Sequence, residues 1–279
     1  MSFKQFNLHT QIEKGIEALG YTAPTPIQLQ SMPAILQGKD VMGMAQTGTG
    51  KTAAFALPIL QRLMSGPRRS LRALIVAPTR ELAEQIHEAI DGLGRATKLK
   101  SVTIYGGVNK NPQIRSLRQG AEIAVACPGR LLDLADQGEI DLSRIEVLVL
   151  DEADRMFDMG FLPDIRKIIK RLPTKRQTLL FSATMPEDIR KLAREVLHDP
   201  VTIRVGTGAP RIHGFPCRLS GGAASQDGPA DEAPRPDGYG IGPCLHAHET
   251  PHNARGRADA TGRLVGRVAA GKPLAEPAP

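Results

Sequence analysis

Short apolar runs alternate with helix-like segments from residue 1 to about residue 207, and this alternation constrains the fold more than any other feature. Segment 81–90, for example, repeats its apolar residues at helical spacing. The runs between such segments are rich in β-branched residues and predict strands at 41–44, 73–77, 102–105, 123–126, 147–150, 178–181 and 201–205. Strands that alternate with helices form crossover units. We therefore expect a three-layer α/β fold, with a mostly parallel sheet covered by helices on both faces.

The composition changes after residue 207. The last 72 residues contain 12 Gly and 10 Pro but only nine Ile, Leu, Val or Phe. Such a segment buries too little apolar surface to offset the entropy of ordering the chain. The sequence thus predicts a folded domain over 1–207 and a largely disordered Gly/Pro-rich tail over 208–279.

The charge and the cysteines indicate partners and compartment. With 36 Lys and Arg against 29 Asp and Glu, the chain has a net charge of +7, which favours polyanions but also fits a basic solvated surface. Cys127, Cys217 and Cys244 lie far apart and form no CxxC pair, as is typical of a reducing compartment. The N-terminus lacks the apolar run of a signal peptide, and no stretch of about 18 apolar residues could span a bilayer. We expect a cytoplasmic protein without a membrane partner.

A glycine-rich loop follows the first predicted strand. It reads Ala45-Gln46-Thr47-Gly48-Thr49-Gly50-Lys51-Thr52, and a helix-like segment comes next. Glycines let backbone N–H groups turn toward a phosphate, and the N-terminus of a helix adds its positive dipole end. Lys51 would reach the β- and γ-phosphates of a nucleotide, and Thr52 would bind Mg²⁺ through its hydroxyl. The pattern predicts a P-loop NTPase, although Ala45 replaces the first glycine of the general motif.

Carboxylates end the predicted strand at 147–150. Asp151, Glu152 and Asp154 follow it directly, and buried carboxylates are costly unless a cation lies nearby. Asp151 is placed to bind Mg²⁺, and Glu152 is placed to orient and deprotonate an attacking water. Alone, an acidic strand end is more often a helix cap, but its combination with Lys51 and Thr52 favours phosphoryl transfer.

Asp151-Glu152-Ala153-Asp154 spells the name motif of the DEAD-box ATP-dependent RNA helicases. The chain resembles the first, RecA-like domain of the bacterial type over about residues 3–207. Upstream, Phe3 and the string from Gly20 to Gln28 resemble the family's adenine-reading Q motif. The resemblance implies that Phe3 stacks on adenine and that Gln28 selects ATP. Two alternatives stay open: Phe3 as a surface staple and Gln28 as a first-turn helix residue. The nucleotide-binding set is Phe3, Tyr21, Gln28, Gln46, Thr47, Gly48, Thr49, Gly50, Lys51 and Thr52.

Ser182-Ala183-Thr184 resembles the motif that couples the nucleotide site to RNA in this family. By resemblance, Ser182 and Thr184 act together with Asp154. Thr184 and Glu187 also have the spacing of a capping box for the next helix, and both interpretations can hold together.

Three further motifs are expected by similarity to contact RNA, each at the end of a predicted strand. Hydroxyls, glycine N–H groups, helix N-termini and guanidinium groups bind phosphates without reading bases, which implies low sequence specificity. Cys127 departs from the family, which has Thr there, and a thiol is a weaker donor than a hydroxyl. The expected contacts are Pro78, Thr79 and Arg80, then Gly106 and Gly107, then Pro128, Gly129 and Arg130.

The resemblance implies an ATP-dependent RNA helicase that uses ATP and Mg²⁺ and binds single-stranded or structured RNA. The family's second domain, which carries arginine fingers, has no counterpart in residues 208–279, so we expect an aberrant or truncated tail, weak turnover and no unwinding by this chain alone. The alternatives are a non-enzymatic RNA-binding or interfering fragment and a DNA-directed P-loop ATPase.

Overall fold

A computed structural model describes residues 2–205 and contains the seven strands that the apolar runs predict. Their ends differ from the prediction by at most one residue, and Tyr105 falls just outside its strand because β3 ends one residue earlier. The strands are β1 (Val41–Ala45), β2 (Ala73–Val76), β3 (Ser101–Ile104), β4 (Ile123–Ala126), β5 (Val147–Leu150), β6 (Gln177–Ser182) and β7 (Val201–Val205).

After a short 3-10 turn at Phe3–Phe6, two helices precede β1, and the other helices occupy the connections between the strands. Two of the helices begin with the local signals expected of a helix start: Pro26 is the first residue of α2, and the Thr79 hydroxyl caps α4. The helices are α1 (Thr10–Ala18), α2 (Pro26–Leu36), α3 (Lys51–Leu63), α4 (Arg80–Gly94), α5 (Asn111–Arg118), α6 (Pro128–Asp136), α7 (Ala153–Asp158), α8 (Leu162–Lys170) and α9 (Glu187–Val196).

The strands form one sheet in the order β3-β4-β2-β5-β6-β1-β7, and every pair of neighbours is parallel. Side chains alternate between its two faces. Ile75, Val149 and Leu179 belong to one apolar cluster with α1 to α4, whereas Leu74 and Leu148 belong to a second with α5 to α9. Burial on both faces explains why β2, β4 and β5 are continuous apolar runs. The predicted three-layer α/β architecture is confirmed.

The strand order divides the carboxyl edge of the sheet into two adjoining parts. In one part, β5, β6 and β1 are neighbours, and the phosphate loop and the acidic motif lie at their ends. In the other part, β3, β4 and β2 are neighbours, and the three motifs predicted to contact RNA lie at their ends. Ligands of open parallel sheets bind outside this edge. No helix within residues 2–205 is long and apolar enough to cross a membrane. The tail predicted at 208–279 lies outside the described residues.

Candidate functional site

The phosphate loop connects β1 to the first turn of α3. Gly48 and Gly50 have φ angles of +79° and +88°, a region that residues with a side chain rarely adopt. A Cβ at Gly50 would lie 2.7 Å from Gln28 Nε2, whereas one at Gly48 would point into open space. The Thr49 hydroxyl donates to the Gln46 carbonyl at 2.8 Å and closes the turn. The loop therefore aims its backbone at a space beside the N-terminus of α3.

Lys51 and Asp151 meet beneath this loop. Lys51 Nζ lies 3.7 Å from Asp151 Oδ1, and both side chains are buried. Within residues 2–205 the ammonium has no hydrogen-bond partner. Burial raises the pKa of Asp151 to about 6, although the charge of Lys51 acts to lower it. A buried cation without an acceptor is costly, so the geometry fits a site that receives an anion.

Glu152 is buried in a strained backbone conformation. Its φ and ψ angles are +51° and +53°, in the left-handed region, where it caps α7. Residues other than glycine seldom hold such angles outside sites where the surrounding structure enforces them. Its backbone N–H donates to Asp151 Oδ1 at 3.0 Å, and its carboxylate lies 3.3 Å from the Arg155 guanidinium. The Glu152 carboxylate thus contacts Arg155 on α7, while its backbone N–H contacts the Asp151 carboxylate that pairs with Lys51.

Asp154, Ser182 and Thr184, which the sequence groups for coupling, form one hydrogen-bonded cluster. Asp154 Oδ2 accepts from the Thr184 backbone N–H at 2.8 Å and from its hydroxyl at 2.9 Å, while the Asp154 N–H donates to Ser182 Oγ at 3.1 Å. Burial acts to raise the pKa of Asp154, but these hydrogen bonds hold it below its ordinary value. The capping box predicted for Thr184 and Glu187 is wrong: Pro186 is the N-cap of α9, and the Thr184 hydroxyl binds Asp154 instead.

Gln28 joins the Q-motif helix to the phosphate loop. It lies in the first turn of α2, as one of the two interpretations predicts. Its Oε1 accepts from Thr25 N–H at 2.9 Å, and its Nε2 donates to the Gly50 carbonyl at 3.0 Å. One amide hydrogen and one lone pair of the carbonyl remain for an adenine edge.

Phe3 is a core residue, so the alternative of a surface staple is wrong. It is 6% exposed and packs in the cluster formed with α1 to α4. Its ring centroid lies 6.3 Å from that of Tyr21, and the two rings are nearly parallel. Tyr21 is 38% exposed and is the ring that faces solvent. Stacking of adenine on Phe3 remains a prediction.

Two of the three RNA motifs form helix starts. Thr79 caps α4 by accepting the Leu82 N–H at 3.3 Å, and Arg80, the first residue of that helix, is exposed. Pro128 and Gly129 form the first turn of α6. Cys127 is its N-cap residue, yet the thiol makes no capping hydrogen bond, and burial raises its pKa to about 11. Both helix N-termini point to the same edge of the sheet because β2 and β4 are adjacent and parallel.

The third RNA motif is an exposed loop that neighbouring helices hold in place. A Cβ at Gly106 or Gly107 would meet nothing within 4 Å, and the φ of Gly107 is +79°. Arg130 Nη2 donates to the Val108 carbonyl at 3.2 Å, and Arg130 Nε lies 3.5 Å from Asp133. The predicted phosphate ligand Arg130 thus also anchors the glycine loop from α6.

Sequence reasoning missed three residues around this loop: Glu84, Tyr105 and Gln113. Gln113 Nε2 donates to the Tyr105 carbonyl at 3.1 Å, and the Tyr105 hydroxyl donates to Glu84. The available signal was weak: Tyr105 ends an apolar run directly before two glycines, and Glu84 follows Arg80 by four residues.

Comparison with known proteins places this arrangement in a family. The sequence model described as DEAD/DEAH box helicase matches residues 25–192. The DEAD-box ATP-dependent RNA helicase 14 of Arabidopsis thaliana is 46% identical over 209 residues, which are 74% of this chain and 34% of that protein. The DEAD-box ATP-dependent RNA helicase CshA of Streptococcus pneumoniae is 47% identical over 205 residues, 74% of this chain and 39% of that protein. The chain thus spans less than half the length of these curated relatives.

Solved structures agree with the sequence comparison. A hypothetical ATP-dependent RNA helicase from Sulfolobus tokodaii is 42% identical with a TM-score of 0.66, over 71% of this chain and 57% of that one. A DEAD box protein from Methanococcus jannaschii is 38% identical with a TM-score of 0.69, over 73% of this chain and 56% of that one. With the phosphate loop, the acidic motif and the Asp154 cluster adjoining at one sheet edge, the chain belongs to the DEAD/DEAH box helicase family.

Proposed function

We propose that this chain is the nucleotide-binding half of an ATP-dependent RNA helicase, which binds ATP and RNA and hydrolyses ATP slowly when alone. The observation that carries the proposal is the buried Lys51 ammonium, which lies 3.7 Å from Asp151 and has no hydrogen-bond partner within residues 2–205. A phosphate in the adjoining loop would supply the missing acceptors. The names of the similar proteins, which are ATP-dependent RNA helicases, support the same substrates.

The residues of the loop would bind the triphosphate mainly through the backbone. Their N–H groups and the N-terminus of α3 present partial positive charge, and Lys51 adds a full charge toward the β- and γ-phosphates. Gln28 would read the adenine edge with its remaining amide hydrogen and lone pair, while its bond to Gly50 ties that contact to the loop. Tyr21 and the edge of Phe3 would border the base.

Thr52 and Asp151 are the residues that would hold Mg²⁺. A hydroxyl and a carboxylate are hard oxygen donors of the kind this ion prefers, and they adjoin the phosphate loop. When bound, Mg²⁺ neutralises charge on the phosphate oxygens. Asp151 must be ionised to bind it, and its pKa of about 6 allows this at neutral pH.

Glu152 would take the proton of the attacking water. It directly follows Asp151 at the carboxyl edge of the sheet, and its backbone N–H donates to Asp151 Oδ1, which supports this role. General-base catalysis of this kind contributes about 10²- to 10⁴-fold in rate. Asp154 has a different part in this scheme, because its Oδ2 accepts two hydrogen bonds from Thr184. It would instead couple the acidic motif to the loop after β6, which contains Thr184.

RNA would lie along the other part of the edge, over the loops after β2, β3 and β4. Exposed N–H groups at Gly106, Gly107 and Gly129 and the Arg80 guanidinium offer phosphate contacts without base recognition. An arginine finger adds about 10³- to 10⁵-fold to phosphoryl transfer. The second domain that carries such fingers in the family is not among residues 2–205, which is why we expect slow turnover. Cys127 as a free thiol fits a reducing, cytoplasmic location.

The test is ATP hydrolysis by the purified chain with and without single-stranded RNA, with Lys51→Ala and Glu152→Gln as controls. We expect nucleotide binding that Lys51→Ala abolishes and slow hydrolysis that Glu152→Gln abolishes while leaving nucleotide binding. RNA binding without any ATP hydrolysis would instead identify a non-enzymatic RNA-binding fragment. Preference for a DNA strand of the same sequence in direct competition would identify a DNA-directed ATPase.

A further inference from the structure

Arg80 and Glu84 are four residues apart on the first turns of α4, a spacing at which opposite charges usually pair. No ion pair joins them in the part of the chain that the structure describes. Glu84 Oε1 instead accepts hydrogen bonds from the hydroxyls of Tyr105 and Thr103, the latter at 3.3 Å. The carboxylate therefore faces the end of β3 and leaves the guanidinium without its natural partner on the helix.

The Tyr105 ring takes the place of that partner. Arg80 Cζ lies 4.9 Å from the ring centroid, within the range of a cation–π interaction. A guanidinium that stacks by its face keeps its N–H edges available, and those edges bind phosphate oxygens in pairs. Arg80 is exposed, so the contact orients the group without withdrawing it from solvent.

The phenol is held as a donor in this arrangement. The hydrogen bond to Glu84 raises the pKa of Tyr105, so the hydroxyl stays protonated well above neutral pH. Gln113 fixes the backbone of the same residue by donating to its carbonyl at 3.1 Å. Gly106 directly follows Tyr105 in the chain. The residue that orients Arg80 is therefore also the residue at which the exposed glycine loop begins.

We propose that Tyr105 is a positioning residue for RNA: its ring orients Arg80 toward a phosphate, and its hydroxyl keeps Glu84 from neutralising Arg80. This inference rests on the proposed RNA binding. It makes a prediction that a purely structural role does not make. Removing only the hydroxyl should release Glu84 to pair with Arg80, and neutralising Glu84 should then restore the lost affinity.

The experiment measures the affinity of the full chain for a single-stranded homopolymeric RNA at several salt concentrations. Tyr105→Phe keeps the ring but releases Glu84, and it should weaken binding about three- to tenfold, the size of one phosphate contact. It should also reduce the slope of log affinity against log salt by about 0.7, one phosphate contact on a single strand. Adding Glu84→Gln to Tyr105→Phe should restore both quantities to those of Glu84→Gln alone.

Glu88→Gln provides the matched control, because Glu88 is an exposed carboxylate one turn further along α4. It removes the same charge but cannot reach Arg80 in the same way, so it should not rescue Tyr105→Phe. Thermal unfolding checks that each variant folds. Equal rescue by Glu88→Gln, or unchanged affinity in Tyr105→Phe, would overturn the positioning role. Absence of RNA binding by the unmodified chain would instead overturn the proposed function.

Discussion

Lys51 and Asp151 form a buried pair in which the ammonium of Lys51 acts on the charge state of the Asp151 carboxyl. Burial raises the pKa of Asp151 to about 6, and it would rise further without the ammonium, which acts to lower it. The ionisation of Asp151 near neutral pH therefore depends on Lys51.

Lys51→Met should make stability more sensitive to pH. A carboxyl whose folded-state pKa is raised stabilises the fold at low pH, and that stability is lost as pH rises through the folded pKa. Without Lys51 the folded-state pKa of Asp151 is higher, so the variant continues to lose stability up to a higher pH. We expect the stability difference from the unmodified chain to be larger at pH 8 than at pH 5.5, by about 1–3 kcal/mol or one to two pKa units.

Denaturant unfolding in EDTA at the two pH values measures this difference. Asp151→Asn removes the titrating group, so the difference between Asp151→Asn alone and Asp151→Asn with Lys51→Met should not depend on pH. An equal deficit at pH 5.5 and pH 8 for Lys51→Met alone would contradict the coupling of the pair.

Thr184→Val should lower the free energy of unfolding by about 1 kcal/mol, because it removes the hydroxyl that donates to Asp154 and keeps the shape of the side chain. The pKa of Asp154 is lowered in the fold, so its stabilisation is present above its ordinary pKa and lost as pH falls through the folded value. The difference between variant and unmodified chain should therefore shrink below about pH 4.

Glu187→Gln, which alters only exposed ion pairs, should change stability by a few tenths of a kcal/mol at most. A larger loss of stability in Glu187→Gln would contradict the conclusion that Thr184 and Glu187 form no capping box.

Cys127→Thr should both stabilise α6 and tighten RNA binding. The thiol makes no capping hydrogen bond, whereas a threonine hydroxyl at an N-cap contributes about 0.5–1 kcal/mol. The hydroxyl can also donate to a phosphate, which we expect to raise RNA affinity about two- to fivefold. Melting temperature and RNA affinity are the measurements, and Cys127→Val, which has the same shape without the hydroxyl, is the control. Identical results for the two variants would show that the hydroxyl adds nothing.

Gly107→Ala should cost about 1 kcal/mol of stability, since a φ of +79° strains any residue with a Cβ. Gly106→Ala is the matched control: it lies beside Gly107 in equally open space, and its φ is not in the positive region. The Gly106 variant should unfold at the temperature of the unmodified chain or slightly above. If both variants lose the same stability, the left-handed conformation of Gly107 does not carry the effect.

The sequence predicts the elements well because local patterns determine them. Apolar runs locate all seven strands, the loop and strand-end motifs identify Lys51 and Asp151, and the resemblance to the helicase family groups Asp154 with Thr184. Predictions that depend on which elements touch were less successful. The Thr184 hydroxyl had two partners of suitable chemistry, one three residues away and one 30 residues away, and only the packing of β6 beside β5 decides between them.

Tyr105 is a second residue whose contacts the sequence patterns do not predict. Its contacts with Arg80 and Glu84 cross from β3 to α4, and periodicity cannot reveal which strand lies next to which helix. The position of Phe3 near the terminus suggests a surface staple, whereas the 3-10 turn at Phe3–Phe6 folds it into the core; its contact with the base, which the family resemblance implies, stays a prediction. In each case a tertiary contact that is distant in sequence determined the outcome.

The two parts of the sheet edge meet at one strand pair, where the Asp151 N–H donates to the Val76 carbonyl at 3.0 Å. Loops that follow β2, β3 and β4 can change in length or charge without altering the strands that carry the phosphate loop. The proposed RNA contacts could therefore diverge between relatives while the strands beneath the proposed nucleotide site stay the same. Loop exchange between relatives across this border offers a route to helicases of new substrate preference.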